Sequence, residues 1–131
     1  MNRLLLVAFF LLIGSPARAT DYDAMANKSW AFMTCAAFAN GMPNGGTERD
    51  RLFEVGYSLG KQYMQAVFDG LLPEQNDKVP TWYEFPTKNA DFAMGFIWAR
   101  SFDVFKDGPE KPEDTFEWAR GQFESRNCKY L

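Results

Sequence analysis

The sequence predicts an all-α protein: a compact bundle of about four helices, closed by one disulfide, with a long proline- and aromatic-rich loop between helices 2 and 3. Three observations predict it. Apolar residues recur at helical spacing in four stretches. Capping residues, glycines and prolines stand where those stretches begin and end. The only two cysteines, Cys35 and Cys128, fall on the first helix and at the far end of the chain.

The amino terminus precedes all four helices. Arg3 is followed by an unbroken apolar run over residues 4–13, then by Gly14-Ser15-Pro16 and the small-x-small tripeptide Ala17-Arg18-Ala19. A basic start, a short apolar run and small residues at a cleavage site make a secretory signal peptide. Residues 1–19 are expected to be removed after Ala19, leaving 20–131 as a single helical domain in the periplasm or outside the cell. The apolar run is too short for a stable membrane span, and no later stretch is long enough. In that oxidising setting an even cysteine pair is most simply a disulfide. It would close most of the chain into one loop, a constraint of about 4 kcal/mol in the chain-entropy model. A redox site would show Cys-x-x-Cys spacing, which is absent.

The first helix is expected from about Asp21, which can cap it, to Asn40, where Gly41 stops it. Met25, Phe32, Met33 and Ala36 share one side, with Asp23, Asn27 and Thr34 opposite. The second runs from Thr47 to about Phe68, with Glu48 and Asp50 in its first turn, where negative charge suits the helix dipole. Its stripe is Leu52, Val55, Leu59, Tyr63 and Ala66. Gly56 and Gly60 lie one turn apart in that arc. Each costs about 1 kcal/mol relative to alanine, which points to close approach by a neighbour. Residues 71–88 contain Pro73, Pro80 and Pro86 and form the long loop. The third helix, from Asn89 or Ala90 to Lys106, is apolar nearly all round and reads as the central, buried one. The fourth follows Pro109 and Pro112, with Phe116, Ala119 and Phe123 as its stripe.

Composition excludes several chemistries. There is no histidine among the 131 residues. Ser-His-Asp and Cys-His catalysis, histidine zinc sites and histidine proton shuttles are therefore ruled out. No phosphate-binding loop, dinucleotide fingerprint or haem attachment motif occurs. No catalytic residue, metal or cofactor is assigned, and the chain is expected not to be an enzyme. Cleavage after Ala19 would remove two of the 14 basic residues and none of the 17 acidic ones, taking the net charge from −3 to −5. Such a surface disfavours nucleic acid and suits a basic protein partner.

The candidate binding residues are Trp82, Tyr83, Glu84 and Phe85 on the loop, Arg100 and Asp103 on the third helix, and Trp118 on the fourth. Rings on a proline-restrained loop give contact area at low entropic cost; the competing reading is that they lid the core. Arg100 and Asp103, three apart, are placed to pair, or Arg100 to hold a carboxylate. Trp118 points away from the fourth helix's stripe and reads as an outward anchor.

The signal peptide, Trp30 five residues before Cys35, the helical body and the Asn127-Cys128-Lys129 finish resemble small periplasmic helical proteins of proteobacteria, including the amidase immunity proteins of type VI secretion. That resemblance implies a protein that binds and blocks an enzyme's cleft. The function expected is a protein-binding module such as an inhibitor or immunity protein. The alternatives are a periplasmic carrier with an aromatic pocket near Trp82 and Arg100, and an enzyme of unknown type.

Overall fold

The computed structural model describes residues 20–85 and 88–131. The expected signal peptide, its cleavage site and Pro86 lie outside the described residues. Four α-helices form: α1 (Tyr22–Asn40), α2 (Gly46–Phe68), α3 (Ala90–Ser101) and α4 (Thr115–Ser125). Short 3₁₀ turns occupy Thr81–Tyr83, Phe102–Asp107, Pro112–Asp114 and Cys128–Tyr130. Among the described residues there is no strand, and no helix is long and apolar enough to cross a membrane.

The caps follow the side chains. Asp21 Oδ1 accepts from the Ala24 amide at 2.9 Å and Asn89 Oδ1 from the Phe92 amide at 3.0 Å, each satisfying an amide with no partner inside its helix. Past the end of α2 the chain turns at Gly70, whose φ of 75° suits a residue without a side chain. α3 is shorter than its apolar run. Ser101 Oγ donates back to the Trp98 carbonyl at 2.7 Å, and the chain tightens into the Phe102–Asp107 turn. Side chains three apart nearly eclipse in such a turn, and Phe102 and Phe105 accordingly stack, centroids 6.3 Å apart.

The central helix is α1, not α3. Phe32 to Ala39 are eight consecutive buried residues. Of the six alanines in α1, Ala26, Ala36, Ala37 and Ala39 are fully buried; they keep its surface thin and let neighbours approach closely. Thr34, expected on the wet side, is buried, and its Oγ1 has no hydrogen-bond partner among the described residues. α3, read from composition as buried, leaves Phe92 61% exposed and Gly95 and Ala99 in solvent. Hydrophobicity around the whole helix reported its residues but not its position.

α2 packs on α1 through a face rotated from the one expected. Leu52, Gly56, Gly60, Tyr63 and Val67 are buried, while Val55 is exposed. The glycines set this face. A Cβ at Gly56 would lie 3.0 Å from Phe32 Cβ and 3.2 Å from the Met33 amide nitrogen, and one at Gly60 would lie 2.6 Å from Ser29 Oγ. They form the notch into which α1 fits.

The core has two parts. One gathers Met33, Tyr63, Met64, Met94 and Ile97 with Val79 and Tyr83 of the long loop. The other gathers Phe32, Phe38, Leu52 and Phe123 around the Cys35–Cys128 disulfide, whose Cα atoms are 5.5 Å apart. Both cysteines are buried, so the bridge pins the C-terminal turn to the central helix.

Candidate functional site

The long loop is fastened to α1 before it reaches its aromatic segment. Asn76 Nδ2 donates to Asp23 Oδ1 at 2.7 Å, and Asn27 Nδ2 donates to the Lys78 carbonyl at 2.8 Å. Pro80 then opens the Thr81–Tyr83 turn, which sends consecutive rings in different directions.

Tyr83 goes inward. It is 1% exposed and meets Tyr63 edge-on at 5.6 Å. Its hydroxyl donates to Ser29 Oγ at 2.6 Å, and Ser29 Oγ donates to the Gly56 carbonyl at 2.5 Å. This chain joins the loop, α1 and the notch of α2 with every member satisfied. Burial pushes the Tyr83 phenol well above its ordinary value, against a smaller opposing effect of the Ser29 hydrogen bond. Tyr83 is therefore part of the lid over the core and offers no contact surface, which corrects its place among the binding residues.

Trp82 and Phe85 stay half-exposed and meet α3. Phe92, Phe96 and Arg100 recur every four residues and so share a side of that helix. The Arg100 guanidinium carbon sits 5.0 Å from the Trp82 ring centroid and 5.0 Å from that of Phe96. Phe85 packs on Phe96 at 4.8 Å and on Phe92 at 5.7 Å. The result is a continuous shelf: Trp82, Arg100, Phe96, Phe85, Phe92. Glu84 is exposed beside it.

Asp103 borders the shelf at Arg100. Its Oδ2 lies 3.3 Å from Arg100 Nη1, and its Oδ1 lies 2.9 Å from Lys106 Nζ. The Lys106 hydrogen bond is the main reason that the Asp103 carboxyl is held below the ordinary aspartate value, with Arg100 contributing less.

Trp118 does not face outward. Its ring packs on Phe38 at 5.6 Å and Phe105 at 5.4 Å and covers Gly108. The chain approaching α4 folds back through Phe105 and covers Trp118, whereas Phe116, expected in the stripe, is 53% exposed. Phe92 and Phe96, absent from the residues expected at the site, belong to it, and their four-residue spacing to Arg100 is the sequence signal that marks them.

Solvent-open grooves lie elsewhere among the described residues. One, of about 400 Å³, is lined by Met42, Phe123, Tyr130, Arg120 and Lys129. Another, of about 780 Å³, borders the loop at Asn76, Val79 and Glu84. Among the described residues no group of three or more aspartate, glutamate or cysteine side chains is placed to hold a metal ion.

No protein-family model matches this chain. No curated protein and no solved structure matches it either.

Proposed function

We propose that this chain is an exported protein-binding module that acts by contact and not by turnover, and that the Trp82–Arg100–Phe96–Phe85–Phe92 shelf is its contact surface. The observation that carries the reading is the shelf itself. Four aromatic rings and a guanidinium lie side by side at a surface, and Phe92 is 61% exposed. Aromatic residues and arginine are the types that dominate binding energy at protein interfaces. Because the rings already pack on one another, little side-chain freedom is lost on association.

The signal-like amino terminus and the cysteine pair support export. The resemblance to immunity proteins gives the reading its sharper form, an inhibitor that covers an enzyme's cleft. The acidic balance of the chain suits a partner whose surrounding surface is basic. A carrier is less well supported, because the guanidinium beside Trp82 is stacked on rings and lines neither of the grooves described above.

Capture from periplasmic extract by immobilised protein, read by quantitative mass spectrometry, tests the proposal. Wild type is expected to retain a partner that Trp82→Ala and Phe92→Ala lose. A large ring at an interface is worth about 2 kcal/mol, roughly thirtyfold in affinity. Equal retention by folded wild type and folded variants would contradict it.

A further inference from the structure

We infer that Arg100 is a carboxylate receptor, and that the partner docks by setting a carboxylate, borne next to an apolar group, against the edge of this guanidinium. The inference rests on the reading of the shelf as a contact surface and names what the partner presents there.

Three features lead to it. First, the guanidinium has two aromatic neighbours before any ligand arrives, its carbon lying over the Trp82 and Phe96 rings at 5.0 Å from each centroid. Rings take the faces of a guanidinium and leave its N–H edge for hydrogen bonds. Second, that edge is little used. Of its five donors, only Nη1 has a partner among the described residues, Asp103 at a long 3.3 Å. The side chain remains 39% exposed. Third, Asp103 does not depend on Arg100. Lys106 holds it more closely, at 2.9 Å. An incoming carboxylate can therefore take the Arg100 edge while Asp103 keeps its compensation, and no anion is left unpaired.

A planar guanidinium fork matches a carboxylate with two parallel N–H···O bonds. The neighbouring rings of Phe96 and Phe85 then favour an apolar group next to that carboxylate. On a chain of net negative charge, an acidic group is repelled from most of the surface, so one receptive arginine also fixes the partner's orientation.

The probe is N-acetyl-phenylalanine in its carboxylate form, compared with its uncharged amide, titrated into the purified protein and followed by the NMR signals of the Trp82 indole N–H and the Arg100 Nε–H. The carboxylate is expected to shift both signals saturably, and the amide to bind at least tenfold more weakly. Arg100→Lys keeps the charge and loses the fork, and is expected to weaken carboxylate binding at least fivefold. Asp103→Asn, which removes the anion that shares the fork, is expected to bind the carboxylate at least as tightly as wild type. Equal shifts by carboxylate and amide, no saturable shift, or full binding by Arg100→Lys would each overturn the receptor. None of these results decides whether the shelf binds a protein, since the capture experiment reads that through Trp82 and Phe92.

Discussion

Replacing Tyr83 separates a lid from a contact surface. Tyr83→Phe keeps the buried ring and its edge contact with Tyr63 and removes one hydrogen bond. Ser29 Oγ still donates to the Gly56 carbonyl, so no buried donor is orphaned. The expected loss is then the net value of one hydrogen bond, about 1 kcal/mol, or roughly 4 °C in Tm for a domain of this size. Tyr83→Ala removes the whole ring from a site 1% exposed and is expected to cost about 3–5 kcal/mol. Trp82→Ala, next door but half-exposed, should cost no more than about 1–2 kcal/mol. Urea unfolding followed by far-ultraviolet circular dichroism gives all three values. The buried Tyr83 phenol also leaves a pH signature. The folded Tyr83 phenol stays protonated above the ordinary tyrosine value of 10.0, whereas the unfolded one ionises. Its contribution is therefore fully present below that pH and is lost as pH rises above it, at up to about 1.4 kcal/mol per pH unit. The difference between the wild-type and Tyr83→Phe stability profiles should be flat below that pH and narrow above it. A Tyr83→Ala variant as stable as Trp82→Ala, or parallel profiles through the alkaline range, would refute the lid.

Two further perturbations test the frame beneath the site. Gly56→Leu places a Cβ 3.0 Å from Phe32 Cβ and 3.2 Å from the Met33 backbone nitrogen, and should destabilise by about 1–3 kcal/mol even after the gain in helix propensity. Ser58→Leu, on the exposed side of the same helix, should change stability by no more than about 0.5 kcal/mol; equal urea midpoints for the two variants would contradict the α1–α2 packing. Replacing Cys35 and Cys128 together by alanine opens a loop spanning 93 residues and should cost about 4 kcal/mol. Reduction of the wild type should lower Tm by a comparable amount, and unchanged melting on reduction would show that the bridge constrains nothing.

The elements were readable because each is bounded by local chemistry. Asp21 and Asn89 cap, Gly70 turns the chain, and the prolines of residues 71–88 forbid a continuous helix. The even cysteine pair also named its own bond. What could not be read was position. α1 and α3 are both rich in apolar residues, and which of them is central depends on size. The alanines of α1 admit neighbours on all sides, whereas the phenylalanines of α3 make a broad helix that fits only at the edge. The rotation of α2 has the same origin, because the glycines mark the contact more strongly than the larger apolar residues beside them. At the site, the pairing of Arg100 with Asp103 followed from spacing. The division of the loop rings did not, because the turn at Thr81–Tyr83 decides that Tyr83 points inward while Trp82 lies along α3. The packing of Trp118 is hidden from a helical wheel for a related reason: the chain that folds back over that ring through Phe105 lies outside α4.

The shelf as a contact surface is tested most directly by capture with Trp82→Ala beside Tyr83→Phe. The first variant alters the shelf and spares the core; the second alters the core hydrogen bond and spares the shelf. With both confirmed as folded by circular dichroism, Tyr83→Phe is expected to retain the captured partner at the wild-type level, whereas Trp82→Ala loses roughly thirtyfold in affinity. Retention by Trp82→Ala equal to that of Tyr83→Phe would contradict it.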